Sequence, residues 1–220
     1  MKRGPAAEEV TALHESFARA WRRLGARDVP DFAEVVARYS EGHRAYHTLE
    51  HLQECHRWLA TVRELAERPF EIELALVYHD VVYDPRRTDN EKCSAELFKT
   101  HAQAAKLPDE PTERVVALIE GTASHSTRTG DGALLNDIDL AVLGASPHAY
   151  DRYEDQLHQE YAHVEEQLFR AGRERILRSF LEATAIYATR FFRQRLEAQA
   201  RLNLSRSLTA LQESEPGRMS

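Results

Sequence analysis

His79 and Asp80 close a run that is otherwise apolar, Ile72, Leu74, Ala75, Leu76, Val77 and Tyr78. A carboxylate after such a run must be paired, hydrated or bound to metal, because burying it alone costs several kcal/mol. Asp139 sits in a comparable place, inside LLNDIDLAVLG, with apolar residues on both sides. His47 and His51 are four apart and share a face if one helix spans both. Three separate segments therefore offer imidazole or carboxylate groups beside core sequence. Two histidines with two aspartates make a mixed N/O ligand set. It suits Mn, Fe, Zn, Co or Ni better than Ca and leaves positions for water.

The elements that must carry these groups read as helices. Val10, Leu13, Phe17 and Trp21 recur at helical spacing over Glu8 to about Leu24. Pro30-Asp31 opens a short helix through Phe32, Val35, Val36 and Tyr39. SEGHRAYH reads as a loop, and Thr48 as the N-cap of a long helix reaching Leu65. The segment from Ile72 to Tyr78 is apolar nearly all round, which predicts a buried central helix. VVYDPRRTDN is a loop whose Thr88 or Asp89 caps the next helix, through Leu97 to Leu107. Pro111 stands near the start of another, and GTASHSTRTGDG is a polar loop. Ser146-Pro147 predicts an N-cap and first-turn Pro for a helix across Tyr150 to Phe169. Two further helices fill Glu174 to Leu211, with Glu197, Arg201 and Asn203 clamping the last one. Strand-like alternation is nearly absent. The expectation is an all-α helical bundle of roughly eight to ten helices. It forms one domain over residues 1–212, followed by a frayed tail, 213–220.

Composition narrows the function classes. The chain has 220 residues, 42% hydrophobic and 30% charged, with a formal net charge of -7. That balance argues against an extended nucleic-acid surface, though not against a local basic pocket for phosphate. No apolar h-region follows the basic N-terminus, and no uncharged stretch is long enough to span a bilayer. Cys55 and Cys93 have no CxxC spacing, and a reduced, cytoplasmic compartment suits them. Oligomeric state is not legible.

The order His51, His79-Asp80, Asp139 resembles the signature of the HD superfamily of metal-dependent phosphohydrolases. YHTLEHL, Tyr46 to Leu52, also resembles the YHNxxH segment of cyclic-nucleotide phosphodiesterases, with Thr48 in place of the Asn. Together with YHDVVYDPRRTDNEKCSA and DIDLAVLG, it looks like one bacterial family of HD-superfamily phosphohydrolases, over about Phe17 to Leu211.

The resemblance implies roles for individual residues. His51, His79, Asp80 and Asp139 are the expected ligands of a divalent ion, Mn, Fe, Zn, Co, Ni or Mg. Asp80 bridges two ions in two-metal members, and Asp137 is the alternative to Asp139. Such an ion lowers the pKa of bound water and polarises a phosphoryl oxygen. His47 is the expected general acid, and Glu91 is expected to hold a water or a ligand histidine. His125 lies in a loop whose counterparts serve a second metal or the substrate phosphate, and Arg44, Arg86, Arg87, Lys92 and Arg128, the nearest cations in sequence, are the candidates for contact with that phosphate. The implied activity is hydrolysis of a nucleotide or another small phosphate ester or anhydride. The alternatives are a metal- or nucleotide-binding sensor without turnover, and a di-iron oxygenase of the same fold.

Overall fold

The structure is a computed structural model, and it describes residues 7–213. Those residues form ten α-helices and two short 3-10 turns, with no strand among them. No helix among the described residues is long and apolar enough to cross a membrane. The backbone divides into two compact units. The first ends at Asp139 and the second begins at Leu140. The tail expected over 213–220 lies outside the described residues, except for Glu213 at the end of the last helix.

The first unit holds α1 (Ala7–Arg23), α2 (Phe32–Tyr39), α3 (Leu49–Val62), α4 (Pro69–Tyr78), α5 (Asn90–Ala104), α6 (Asp109–Gly121) and α7 (Gly130–Asp139). Helix α4 is its axis and packs against α1, α3, α6 and α7. Every residue from Glu71 to Tyr78 is buried, which is why the segment carries apolar residues on all sides. Its two carboxylates survive burial because each is paired. Arg114 grips Glu71 with bonds of 2.7–3.0 Å. Glu73 accepts from Arg63 at 3.1 Å and from the buried Ser16 hydroxyl. Trp21 of α1, Tyr78 of α4 and Phe98 of α5 interlock, with ring centroids 5.0–6.2 Å apart. Each such pair adds about 0.5–1.5 kcal/mol beyond area burial. This core holds the C-terminal end of α4, and with it His79, in one place.

The second unit holds a 3-10 segment, Leu140–Gly144, then α8 (Pro147–Glu160), α9 (Glu166–Glu182) and α10 (Arg190–Glu213). The single helix expected across Tyr150 to Phe169 is broken between Glu160 and Glu166. No Gly or Pro marks the break. Tertiary contacts hold it instead: His158 packs its ring 4.9 Å from Phe169 and lies 2.8 Å from a Glu166 carboxylate oxygen. The expected clamp at Glu197, Arg201 and Asn203 is present. Glu197 accepts the backbone N–H groups of Ile186 and Tyr187, and Arg201 donates to the terminal carbonyls of Leu181 and Ala183. Asn203 donates to the carbonyls of Leu143 and Ala145.

Candidate metal centre

His51 lies in the first turn of α3, His79 caps α4, Asp80 follows it, and Asp139 is the last residue of α7. Three helices thus end or pass at one point of the first unit. The donor atoms of the four residues all lie within 4.8 Å of one another, and the group could hold a metal ion. His79 Nε2 is 2.9 Å from Asp80 Oδ2 and 3.3 Å from Asp139 Oδ1. His51 Nε2 is 3.2 Å from the same Asp139 oxygen, 3.6 Å from Asp80 Oδ2 and 3.3 Å from His79 Nε2. Atoms bound to a common ion at about 2.0–2.2 Å are separated by about 2.9–3.6 Å, so the set fits a first-row divalent ion. Both histidines are buried, and the carboxylates reach the surface only through narrow exposure.

Neighbouring groups aim the donors. His79 donates from Nδ1 to the Leu76 carbonyl at 2.8 Å, which turns Nε2 toward the cluster. Cys55, one turn along α3, packs its sulfur 3.7–3.9 Å from the His51 ring nitrogens. His125 Nε2 lies 2.8 Å from Asp139 Oδ2, the carboxylate oxygen turned away from His51 and His79. His125 has a φ of 49°, in the left-handed region that a non-glycine residue rarely adopts. The loop after α6 is therefore held in an uncommon conformation where its histidine meets Asp139.

The electrostatics follow from this crowding. Burial would lower the pKa of His79, but Asp80 and Asp139 outweigh it and hold it well above the ordinary histidine value. Burial would likewise raise Asp139, and the charge of His79, with bonds from His125, His51 and His79, holds it well below the carboxylate range. Asp80 is lowered against its burial, chiefly by His79 and then by His47.

The other expected residues separate. Asp139, not Asp137, belongs to the group, and Asp137 is buried elsewhere on α7. His47 lies before α3 rather than within it, so a shared helix face does not bring it to His51. It comes close by stacking, with its ring centroid 4.1 Å from Tyr83 and 6.0 Å from His51. Glu91 is half-buried in the first turn of α5 and is not in the four-residue group. Arg87 is tied to Asp89 through two bonds of 2.9 Å, so Asp89 takes the N-cap position of α5 without using its carboxylate as a cap. Arg86, Lys92 and Arg128 are exposed.

Arg44, a phosphate-binding cation on the sequence reading, instead has a fully buried side chain. Its Nη1 donates to the carbonyls of His47 at 3.1 Å and Asp80 at 2.7 Å, and Nη2 donates to the Val81 carbonyl at 3.1 Å. A guanidinium spent on backbone in this way has no donor plane left for phosphate. Tyr83, Cys55 and the Leu76 carbonyl were not singled out by motif. Cys55 has a signal in its i+4 spacing from His51, and Tyr83 stands in the same YHDVVYD run as His79 and Asp80.

No protein-family model, no curated protein and no solved structure matches this chain.

Proposed function

We propose that the chain is a metal-dependent phosphohydrolase of the HD type, acting on a nucleotide or another small phosphate ester or anhydride. The convergence of His51, His79, Asp80 and Asp139 from three helices carries the reading. When bound there, a divalent ion supplies Lewis acidity toward a phosphoryl oxygen and acidifies water. Mn, Fe, Zn, Co, Ni and Mg are the candidate ions, and the two imidazoles favour the transition metals among them.

The chain's own groups divide the remaining work. His79 and His51 present Nε2, and Asp80 and Asp139 present one carboxylate oxygen each. His125 holds the second oxygen of Asp139 and so keeps the first turned inward. His47 is half-buried and stacked on Tyr83, and it gives a proton to the leaving oxygen. Arg86, Lys92 and Arg128 are exposed and contact the phosphate and the rest of the substrate. Free Cys55 and Cys93 accord with a reducing, cytoplasmic setting.

Turnover by Mn-loaded protein on a panel of nucleoside mono- and triphosphates and simple phosphate esters tests the reading. Phosphate release should require the metal and vanish in His79→Ala and Asp80→Ala. Metal-loaded protein that binds a nucleotide tightly and releases no product would make the chain a sensor instead.

A further inference from the structure

Helix α4 ends at Tyr78, so the backbone carbonyls of the turn that follows have no helical partner. Asp80 lies in that turn, and a ligand there is only as well placed as its backbone. Buried carbonyls need donors, and one side chain supplies them to two consecutive residues. Arg44 reaches the carbonyl of Asp80 at 2.7 Å and that of Val81 at 3.1 Å. The same guanidinium holds the carbonyl of His47 at 3.1 Å, across 3 residues of its own loop. Its remaining nitrogen, Nε, is anchored on Glu41 at 3.1 Å. The rings of Tyr39 and Tyr83 lie 5.1 and 5.4 Å from its central carbon. Tyr83 is also the ring on which His47 stacks.

We infer that Arg44 is a positioning residue of the metal centre, locking the Asp80 turn and the His47 loop to each other through their backbones. The inference rests on the reading of the four-residue group as a metal site. It needs a planar fork of donors at fixed angles, which arginine has and lysine lacks. It also explains the burial of a cation whose nearness in sequence makes it a candidate phosphate ligand. The next residue of the turn is pinned as well, since Ser94 accepts from the backbone N–H of Val82 at 3.1 Å. With that residue fixed, Arg44 sets where Asp80 stands relative to His47.

The test uses Co2+ as a spectroscopic probe in the full chain. Arg44→Lys should lower Co2+ affinity about 10- to 100-fold, the usual cost of losing a group that orients a ligand. It should also change the visible spectrum of the bound ion. Arg114→Lys is the control, because it loosens a buried pair at Glu71, eight residues before His79 on the same helix system. It should retain wild-type affinity and spectrum. Glu41→Gln removes the anchor of Arg44 from a partly exposed position and should shift the spectrum in the same direction by less, even if Arg44→Lys does not fold. An unchanged spectrum and affinity in Arg44→Lys, or in Glu41→Gln where only that variant folds, would overturn the inference. So would an equal loss in Arg114→Lys. Wild-type protein that takes up no Co2+ would end the metal reading itself, and this inference with it.

Discussion

His79 donates its Nδ1 proton to the carbonyl of Leu76, 2.8 Å away and one turn back on the helix that delivers both. A carbonyl can only accept, so the proton's place on Nδ1 is fixed and Nε2 is the atom turned to Asp80 and Asp139. A ligand role for His79 would thus depend on one backbone bond that the end of a helix leaves available. Replacing His79 with Ala should reduce bound metal to background, measured by elemental analysis after dialysis. Near-stoichiometric metal in that variant would remove His79 from the site.

The two aspartates of the DID triplet should behave oppositely. Asp139 joins the donor group and Asp137 is buried away from it. Asp139→Asn should lose metal by at least about tenfold in affinity, whereas Asp137→Asn should keep it, with any cost appearing in thermal stability. Metal loss confined to Asp137→Asn would reverse the assignment.

His125 should matter to metal affinity without being one of the four donors. Its bond at 2.8 Å holds the outer oxygen of Asp139, and it does so from a left-handed backbone. His125→Ala should weaken Mn2+ binding about 10- to 100-fold. His125→Asn, which tolerates that backbone conformation, should fold as well as the parent and still bind weakly. Titration calorimetry distinguishes the two effects, and parental affinity in both variants would leave His125 no role.

Proton release should accompany metal uptake. The carboxylates of Asp80 and Asp139 hold the pKa of His79 above its ordinary value despite burial, and an ion must displace that proton from Nε2. Affinity should therefore fall as pH drops below the raised His79 value, with about one proton released per ion in weakly buffered solution. The same shift predicts the stability of chelator-treated protein. A raised histidine pKa adds stability that is complete below the unfolded-state value and lost as pH rises through the folded-state value. The lowered pKa values of Asp80 and Asp139 add stability present above the unfolded-state carboxylate value, and it is lost only as pH falls through their depressed values. Chelator-treated protein should thus melt at lower temperature in alkaline buffer. A Tm that rises toward alkaline pH would contradict the His79 environment.

In the second unit, Gly144 should resist substitution. A Cβ built there would lie 2.5 Å from Leu196 Cβ and 2.9 Å from its carbonyl oxygen. Gly144→Ala should cost about 1–3 kcal/mol in urea unfolding, the range for overpacking a tight contact. A loss below a few tenths of a kcal/mol would show that α10 can move aside.

The all-helical class and nearly every helix of the first unit are legible from residue order alone. Apolar residues at a helical period bury one face wherever they occur, and a segment apolar on every face, Ile72 to Tyr78, has nowhere to go but the centre. Residue order also brought forward His51, His79, Asp80 and the DID triplet as candidate ligands, because His and Asp beside core sequence need a strong partner and few partners are available. Tertiary structure decided what spacing does not encode. It chose Asp139 over Asp137, since two aspartates two apart on a helix point about 200° apart and only packing says which faces α3 and α4. It broke the helix expected from Tyr150 to Phe169 through contacts between residues on either side of Tyr161–Glu165. It brought His47 to His51 by stacking on Tyr83 rather than by a shared helix. It took Arg44 out of solvent, because carbonyls left by the end of α4 need donors and the guanidinium that supplies them lies 36 residues earlier in the chain.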